Sequence, residues 1–353
     1  MRNGSFYRRS LLLALLWLPL LAQGPVFAED KNEAVPPDGF TACVERLVLR
    51  ATDMTTIGEI RARCRQGGAE EETLAAPPPA ARPVGSAFGK KLLIDQENVG
   101  KPFTIMTHRA NYFLFAAYNS QGWSGAEFAA DDRPELAEPK RIEAQFQISG
   151  KMPLAVNMFG LPLDIYGAYT MRSFWQVYAQ DKSSPFREID HEPEAWLQLR
   201  SDWHFLGWVD SLAMIGLDHQ SNGQSGILSR SWNRVIASTV LGKGGFLLVP
   251  RLWYRLPEDP NNDDNPHIVD YLGHGDLTLG WRHSGNTFTV MLRNNLESGF
   301  SRGAVQLGWS FPLALFPYLR GYIQYFGGYG ESLIDYNRYA NRIGIGISLS
   351  DLL

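Results

Sequence analysis

Ile343-Gly344-Ile345-Gly346-Ile347-Ser348-Leu349-Ser350 alternates without a break: every second residue is aliphatic, and those between are glycine or serine. Side chains of an extended strand point to opposite faces in turn, so this run has one aliphatic face and one small, polar face. A soluble sandwich would turn the aliphatic face inward, whereas a barrel in a bilayer would turn it toward lipid. Working back from this run, the same texture returns as far as about residue 103. Runs that alternate in polarity are separated by clusters of Gly, Pro, Asn, Asp and Ser. Twelve strands are predicted, at 106–118, 140–152, 164–179, 190–203, 207–219, 229–241, 245–256, 268–282, 286–297, 302–311, 317–327 and 340–352. An even number suits a closed up-and-down barrel with both termini on the periplasmic side. The predicted fold class is therefore all-β: a 12-stranded antiparallel transmembrane β-barrel with a small N-terminal helical extension. Trp232, Trp253 and Tyr254 lie near strand ends, where aromatic residues form interfacial girdles, although each could equally pack in a core.

Composition agrees with this reading. Of 353 residues only 20% are charged, below the roughly 25% of ordinary soluble domains. Aromatic residues make up 12%, with 34 Gly, and 44% of the chain is apolar, which excludes a disordered chain. The balance of 33 basic and 37 acidic residues gives no support to a nucleic-acid partner. Residues 1–28 have the form of a secretory signal: Arg2, Arg8 and Arg9, a short apolar run over Leu11–Ala22, then Val26-Phe27-Ala28. Loss of those three arginines takes the formal charge from −4 to −7. Later uncharged stretches such as Gly303–Leu319 carry Gln306, Ser310, Pro312 and Pro317 and do not read as membrane helices.

Residues 29–95 are predicted to form an N-terminal periplasmic extension and a Pro-rich linker. Cys43–Thr52 and Thr55–Gln66 carry apolar residues at helical spacing, and Pro77-Pro78-Pro79 lies in an extended stretch. In an oxidising compartment Cys43 and Cys64 favour one disulfide, with two separate thiols the alternative. The barrel domain then occupies residues 96–353.

One stretch could carry chemistry: Asp218-His219-Gln220-Ser221-Asn222-Gly223-Gln224-Ser225, continuing to Ser229-Arg230-Ser231-Trp232-Asn233-Arg234. Val209, Ala213, Ile215, Leu217 and His219 share parity, and Ser221 continues it, so His219 and Ser221 are predicted at a strand end on the apolar, lipid-facing side. Residues i and i+2 of a strand lie about 6.5–7 Å apart and point the same way. An imidazole can bridge that gap to a hydroxyl, the nucleophile–base contact of a serine hydrolase. Asn233, on the next antiparallel strand, can sit beside His219 and accept its Nδ1–H. Polar groups on a lipid-facing surface are costly unless they serve a function. Arg230 and Arg234 could meet phosphate or lipopolysaccharide near the outer rim, or be solvated or lumen-facing charges. The acidic turn Asn261–Asn265 lacks the Gly and distal Glu of an EF-hand and reads as a polar hairpin turn.

The stretch His219-x-Ser221-Asn222-Gly223 with Ser229-Arg230-Ser231-Trp232-Asn233-Arg234 resembles the outer membrane phospholipase A family. So do Ser183-Ser184-Pro185-Phe186-Arg187-Glu188, Asp263-Asp264-Asn265-Pro266 and Tyr329-Gly330-Glu331-Ser332-Leu333-Ile334-Asp335-Tyr336-Asn337. The resemblance covers residues 96–353 and leaves out the Cys43/Cys64 segment. It implies a 12-stranded outer-membrane barrel that hydrolyses acyl ester bonds of phospholipids and lysophospholipids, uses Ca2+ and works as a homodimer. By the same resemblance Ser221 is the nucleophile, His219 the general base and then acid, and Asn233 the orienting residue. Gly223 would offer a backbone N–H to the oxyanion. Calcium would be held by the Ser229 side chain, the Gln224 carbonyl and Ser183 of the partner subunit. Gln220 stands where the family usually has Asp, and Gln224 where familiar members have Arg. Met171 replaces a Gln that hydrogen-bonds across the dimer, and Leu353 a terminal aromatic. The competing readings are a non-enzymatic pore or structural barrel, and a secreted soluble β hydrolase.

Overall fold

The computed structural model describes residues 87–99, 101 and 104–351, with position 58 in addition. The predicted signal segment and the Cys43/Cys64 pair lie outside the described residues. Twelve strands form the wall: β1 Asn111–Asn119, β2 Ile142–Ala155, β3 Leu163–Trp175, β4 Phe186–Phe205, β5 Trp208–Ser221, β6 Ser231–Lys243, β7 Phe246–Arg255, β8 Gly275–His283, β9 Asn286–Asn294, β10 Gly303–Pro312, β11 Arg320–Gly328 and β12 Ala340–Ser350. Each pairs antiparallel with its neighbours in sequence, and β12 pairs with β1, so the sheet closes. No helix among the described residues is long and apolar enough to cross a membrane, so any crossing is made by strands.

Alternation decides which way each strand faces. Ile343, Ile345 and Leu349 of β12 are exposed on the outer surface, while Arg342 and Ser348 are buried inside. Gly346 faces inward beside a bulge between Ile345 and Gly346, where a Cβ would stand 1.9 Å from the Phe113 carbonyl oxygen. The pleat at this point admits only glycine. The lumen is polar and cross-linked. Arg187 pairs with Glu143 at 3.0 Å and with Asp335, Arg109 with Glu192 and Glu194, and Arg342 with Glu331. These pairs satisfy charges that could not be buried alone.

The two ends of the barrel differ. One end has the two-residue turns 206–207, 244–245 and 284–285, and the other the longer loops 120–141, 222–230 and 256–274. Short turns at one end and long loops at the other are the form of outer-membrane barrels. Helix α1, Ala87–Val99, enters the lumen at the turn end. Its Phe88 and Leu92 pack against Leu212, Val240 and Leu247, and Asp95 pairs with Lys151 at 2.7 Å. This helix runs across residue 95, where the sequence reading ends the linker. The cavity between α1 and the long loops measures about 400 Å³ and is lined by apolar as well as charged side chains.

Several sequence expectations are refined. Met106–Thr107 pairs with Lys151 and Gly150 as a separate short bridge, and β1 begins at Asn111. Ile268–Leu272, expected at the start of a strand, is a short helix, α3, that buries Ile268 and Leu272; α2 is Ala126–Ala130. Trp232 and Trp253 do not form a girdle. Both face the lumen and pack together, because their parity is that of the buried face; Tyr254, of the other parity, is exposed. Near the turn end, Phe246, Trp281, Phe288 and Trp309 stack in a continuous row across β7–β10 instead.

Candidate active site

The alternation of β5 carries His219 and Ser221 to the outer surface. Ile215 and Leu217, which share their parity, are 54% and 61% exposed, while Asp218, between Leu217 and His219, is buried. Val209 does not share this face. A bulge between Asp210 and Leu212 resets the alternation, and Val209 stands opposite Gly242, in step with buried Val240.

Register then assembles the rest. His219 stands directly opposite Asn233 on β6, and its Nδ1 lies 2.9 Å from Asn233 Oδ1. Ser221 stands opposite Ser231 on β6 and opposite His191 on β4, and His191 in turn stands opposite Met171 on β3. Among the described residues no hydrogen bond joins Ser221 to His219. Such contacts are commonly long in an enzyme without substrate.

The pair is held from behind. Asp218 faces Arg234 and Gln220 faces Trp232 on the lumen side of the same two strands. Arg234 donates to Asp218 through Nε at 2.9 Å, and the Trp232 indole N–H donates to Gln220 Oε1 at 2.9 Å. The Arg234 guanidinium lies 4.0 Å above the Trp232 ring. Thus Arg234 is a lumen charge and not a rim residue. Arg230 donates to the carbonyls of Ile227 and Ser229 within its own loop. Gln220 differs from the residue usual in the resembling family, and its amide oxygen still meets the indole.

The loop 222–230 is gathered by Asn222. Its buried Oδ1 accepts from the N–H groups of Gln224 and Arg230, and its Nδ2 donates to the Leu228 carbonyl at 2.8 Å. Gly223 is exposed with φ +65°, and a Cβ there would sit 3.7–3.8 Å from the His191 ring. The Ser229 hydroxyl donates to Asp264, whose loop 256–267 reaches over from the end of β7. Gln224 and Ser229 are therefore in one loop. Ser183 lies in the loop 176–185, exposed, with φ +60°, and among the described residues no hydrogen bond joins it to either. The acidic segment, expected as a polar hairpin turn, lies in the connection between β7 and β8 and has a partner in the 222–230 loop.

Three residues near the site escaped the sequence reading: Tyr169, His191 and Glu258. The Tyr169 hydroxyl lies 2.5 Å from His191 Nδ1, on the outer wall beside Ser221. Glu258 Oε1 accepts from Asn233 Nδ2 at 3.3 Å. The parity of β4 could have placed His191 outward; nothing in the sequence alone fixes the register that brings Glu258 to Asn233. A carboxylate group, Glu192, Glu194 and Asp218, also lies in the lumen, where each of the three pairs with Arg109 or Arg234.

Fold and site together define an outer-membrane β-barrel that carries a serine–histidine–asparagine cluster on its outer wall. The phospholipase A1 family model matches residues 89–349, and the chain belongs to that family. It is 35% identical to phospholipase A1 of Escherichia coli K12 over 71% of this chain and 83% of that protein. It is 41% identical to a putative phospholipase A1 of Neisseria meningitidis serogroup B, over 62% of this chain and 57% of that one. The solved outer membrane phospholipase A of Escherichia coli superposes with a TM-score of 0.66 at 32% identity, covering 71% of this chain and all of that one. The calcium-bound dimer of the Salmonella typhi outer membrane phospholipase gives 0.67 at 31%, with 74% and 98% covered. As a member of this family the chain is a phospholipase, a carboxylic ester hydrolase, of the bacterial outer membrane.

Proposed function

We propose that this barrel hydrolyses acyl ester bonds of glycerophospholipids and lysophospholipids through an acyl-enzyme on Ser221, with calcium, as a homodimer. The observation that carries the reading is the 2.9 Å contact of His219 Nδ1 with Asn233 Oδ1, on the outer wall two residues from Ser221. With Nδ1–H donated to Asn233, Nε2 is left free to take the Ser221 proton. Ser221 Oγ attacks the ester carbonyl, and the imidazolium then returns the proton to the departing lysolipid alcohol. Water attacks the acyl-enzyme in a second step, again with His219 as base, and releases the fatty acid. The outward orientation matters because the acyl esters of lipid lie beside this wall and not in the lumen. Gly223 N–H serves as a donor to the oxyanion in this scheme.

The donors available suit calcium, which prefers hard oxygen ligands. The Ser229 hydroxyl, the Gln224 carbonyl and Ser183 of the partner subunit would hold it, and the Asp264 carboxylate beside Ser229 adds negative charge there. When bound, the cation supplies positive charge facing the developing oxyanion. A shared calcium ties activity to dimerisation, a reading supported by the calcium-bound dimer of the Salmonella typhi relative.

The test compares refolded wild type with Ser221→Ala on phospholipid in detergent, with calcium and with chelator. Wild type with calcium should release fatty acid; the variant and the chelated enzyme should not, while both keep the folded barrel. Turnover by Ser221→Ala near the wild-type rate removes Ser221 from the chemistry, and turnover under chelation removes the metal.

A further inference from the structure

We infer that Glu258 is a positioning residue for Asn233, selecting the one amide orientation in which His219 can act as a base; this rests on the Ser221–His219–Asn233 reading above. β7 ends at Arg255, yet the Leu256 N–H still donates to the Asn233 carbonyl at 2.8 Å, so the chain follows β6 for one residue more. Two residues later the half-buried Glu258 reaches the Asn233 side chain, with Oε1 at 3.3 Å from Nδ2. The other end of the same amide meets His219 Nδ1 at 2.9 Å.

An asparagine amide has a donor end and an acceptor end of nearly the same shape. Turned one way, its carbonyl accepts Nδ1–H and leaves the Nε2 lone pair free for the Ser221 proton. Turned the other way, its NH2 donates to a bare Nδ1, the ring proton moves to Nε2, and the imidazole cannot accept from Ser221. A carboxylate accepts and does not donate. Glu258 therefore fixes the NH2 end toward itself and the carbonyl toward His219. Its negative charge also polarises the amide, making Oδ1 a stronger acceptor for the imidazolium formed during attack. In this way a neutral asparagine gains part of what an aspartate would give.

The experiment is a mutant cycle on the refolded full chain. Glu258→Gln replaces the acceptor-only group with an amide that tolerates either orientation of Asn233. Its kcat should fall on the order of tenfold, a coupling of about 1.4 kcal/mol, within the range for residues in direct contact. KM should stay unchanged, because Glu258 does not touch substrate. In an Asn233→Asp background, where residue 233 has no donor end to misplace, Glu258→Gln should cost no further activity. Equal losses in the two backgrounds, an unchanged kcat in the single variant, or a change confined to KM would each overturn the inference. Ser221→Ala is assayed alongside. If it is inactive and the cycle is additive, the Glu258 inference alone fails; if it stays active, the underlying mechanism fails.

Discussion

Gln220 and Trp232 face each other on the lumen side of β5 and β6, the indole N–H donating to the amide oxygen at 2.9 Å. Asp218 and Arg234 meet in the same way two positions away. Between these rungs the strands present His219 and Asn233 to the outside. A cross-strand pair holds its geometry only as well as its register is held, and here the register is pinned on both sides by buried polar contacts.

Gln220→Ala should leave the buried indole N–H without its partner and cost about 1–3 kcal/mol of stability. Urea unfolding followed by tryptophan fluorescence reads the shift. An unfolding midpoint equal to wild type would show that this contact does not hold the register.

Asp218→Ala leaves Arg234 short of a buried counter-charge, although Glu192 lies 3.1 Å from it. Breaking a buried pair from one side commonly costs about 3–5 kcal/mol, and the Glu192 contact puts this case at the lower end. Adding Arg234→Met should recover part of the loss, which the same unfolding curves measure.

Asn233→Ala should lower kcat by roughly 10²–10⁴, the usual range for a general base that has lost its function. A short-chain ester in detergent isolates this step from lipid packing. A loss seen only in KM would mean that Asn233 contributes to binding and not to His219.

Asp264→Asn should raise the calcium concentration needed for half-maximal activity by about tenfold, by removing negative charge next to Ser229. The maximal rate at saturating calcium should stay close to wild type. A calcium titration that superposes on wild type would place Asp264 outside the metal's surroundings.

Ile345→Arg puts a charge on the outer face of β12, where a midplane arginine costs about 2–4 kcal/mol. Refolding into lipid vesicles followed by denaturant titration gives the value. An unaffected variant would place that face in water.

Most of the wall was legible because strand alternation is a property of single runs. Ile343 to Leu349 need only period two to be placed outward, and so do Ile215, Leu217 and His219. What failed depends on more than one run. The bulge at Asp210–Leu212 turned Val209 inward, and a bulge leaves no mark in parity. Ile268 and Leu272 fit a strand or a helical turn equally well, since a short apolar run does not separate the two. For Trp232 and Trp253 residue type leaves girdle and core packing equally open, and the parity of their strands decides for the lumen. The contact of His219 with Asn233 was legible because β5 and β6 are consecutive antiparallel strands. That of Asn233 with Glu258 was not, because it depends on where β7 leaves its partner. Helix α1 follows a Pro-rich stretch, and only the barrel gives its Phe88 and Leu92 something apolar to meet.

The placement of α1 also bears on what this barrel cannot do. An ion entering from the turn end would meet Phe88 and Leu92 seated on Leu212, Val240 and Leu247, and beyond them a lattice of paired guanidinium and carboxylate groups. Such a bore is expected to conduct poorly. Inserted in a planar bilayer the protein should be electrically silent, so a cell can hold it at the outer surface without leaking solutes through it.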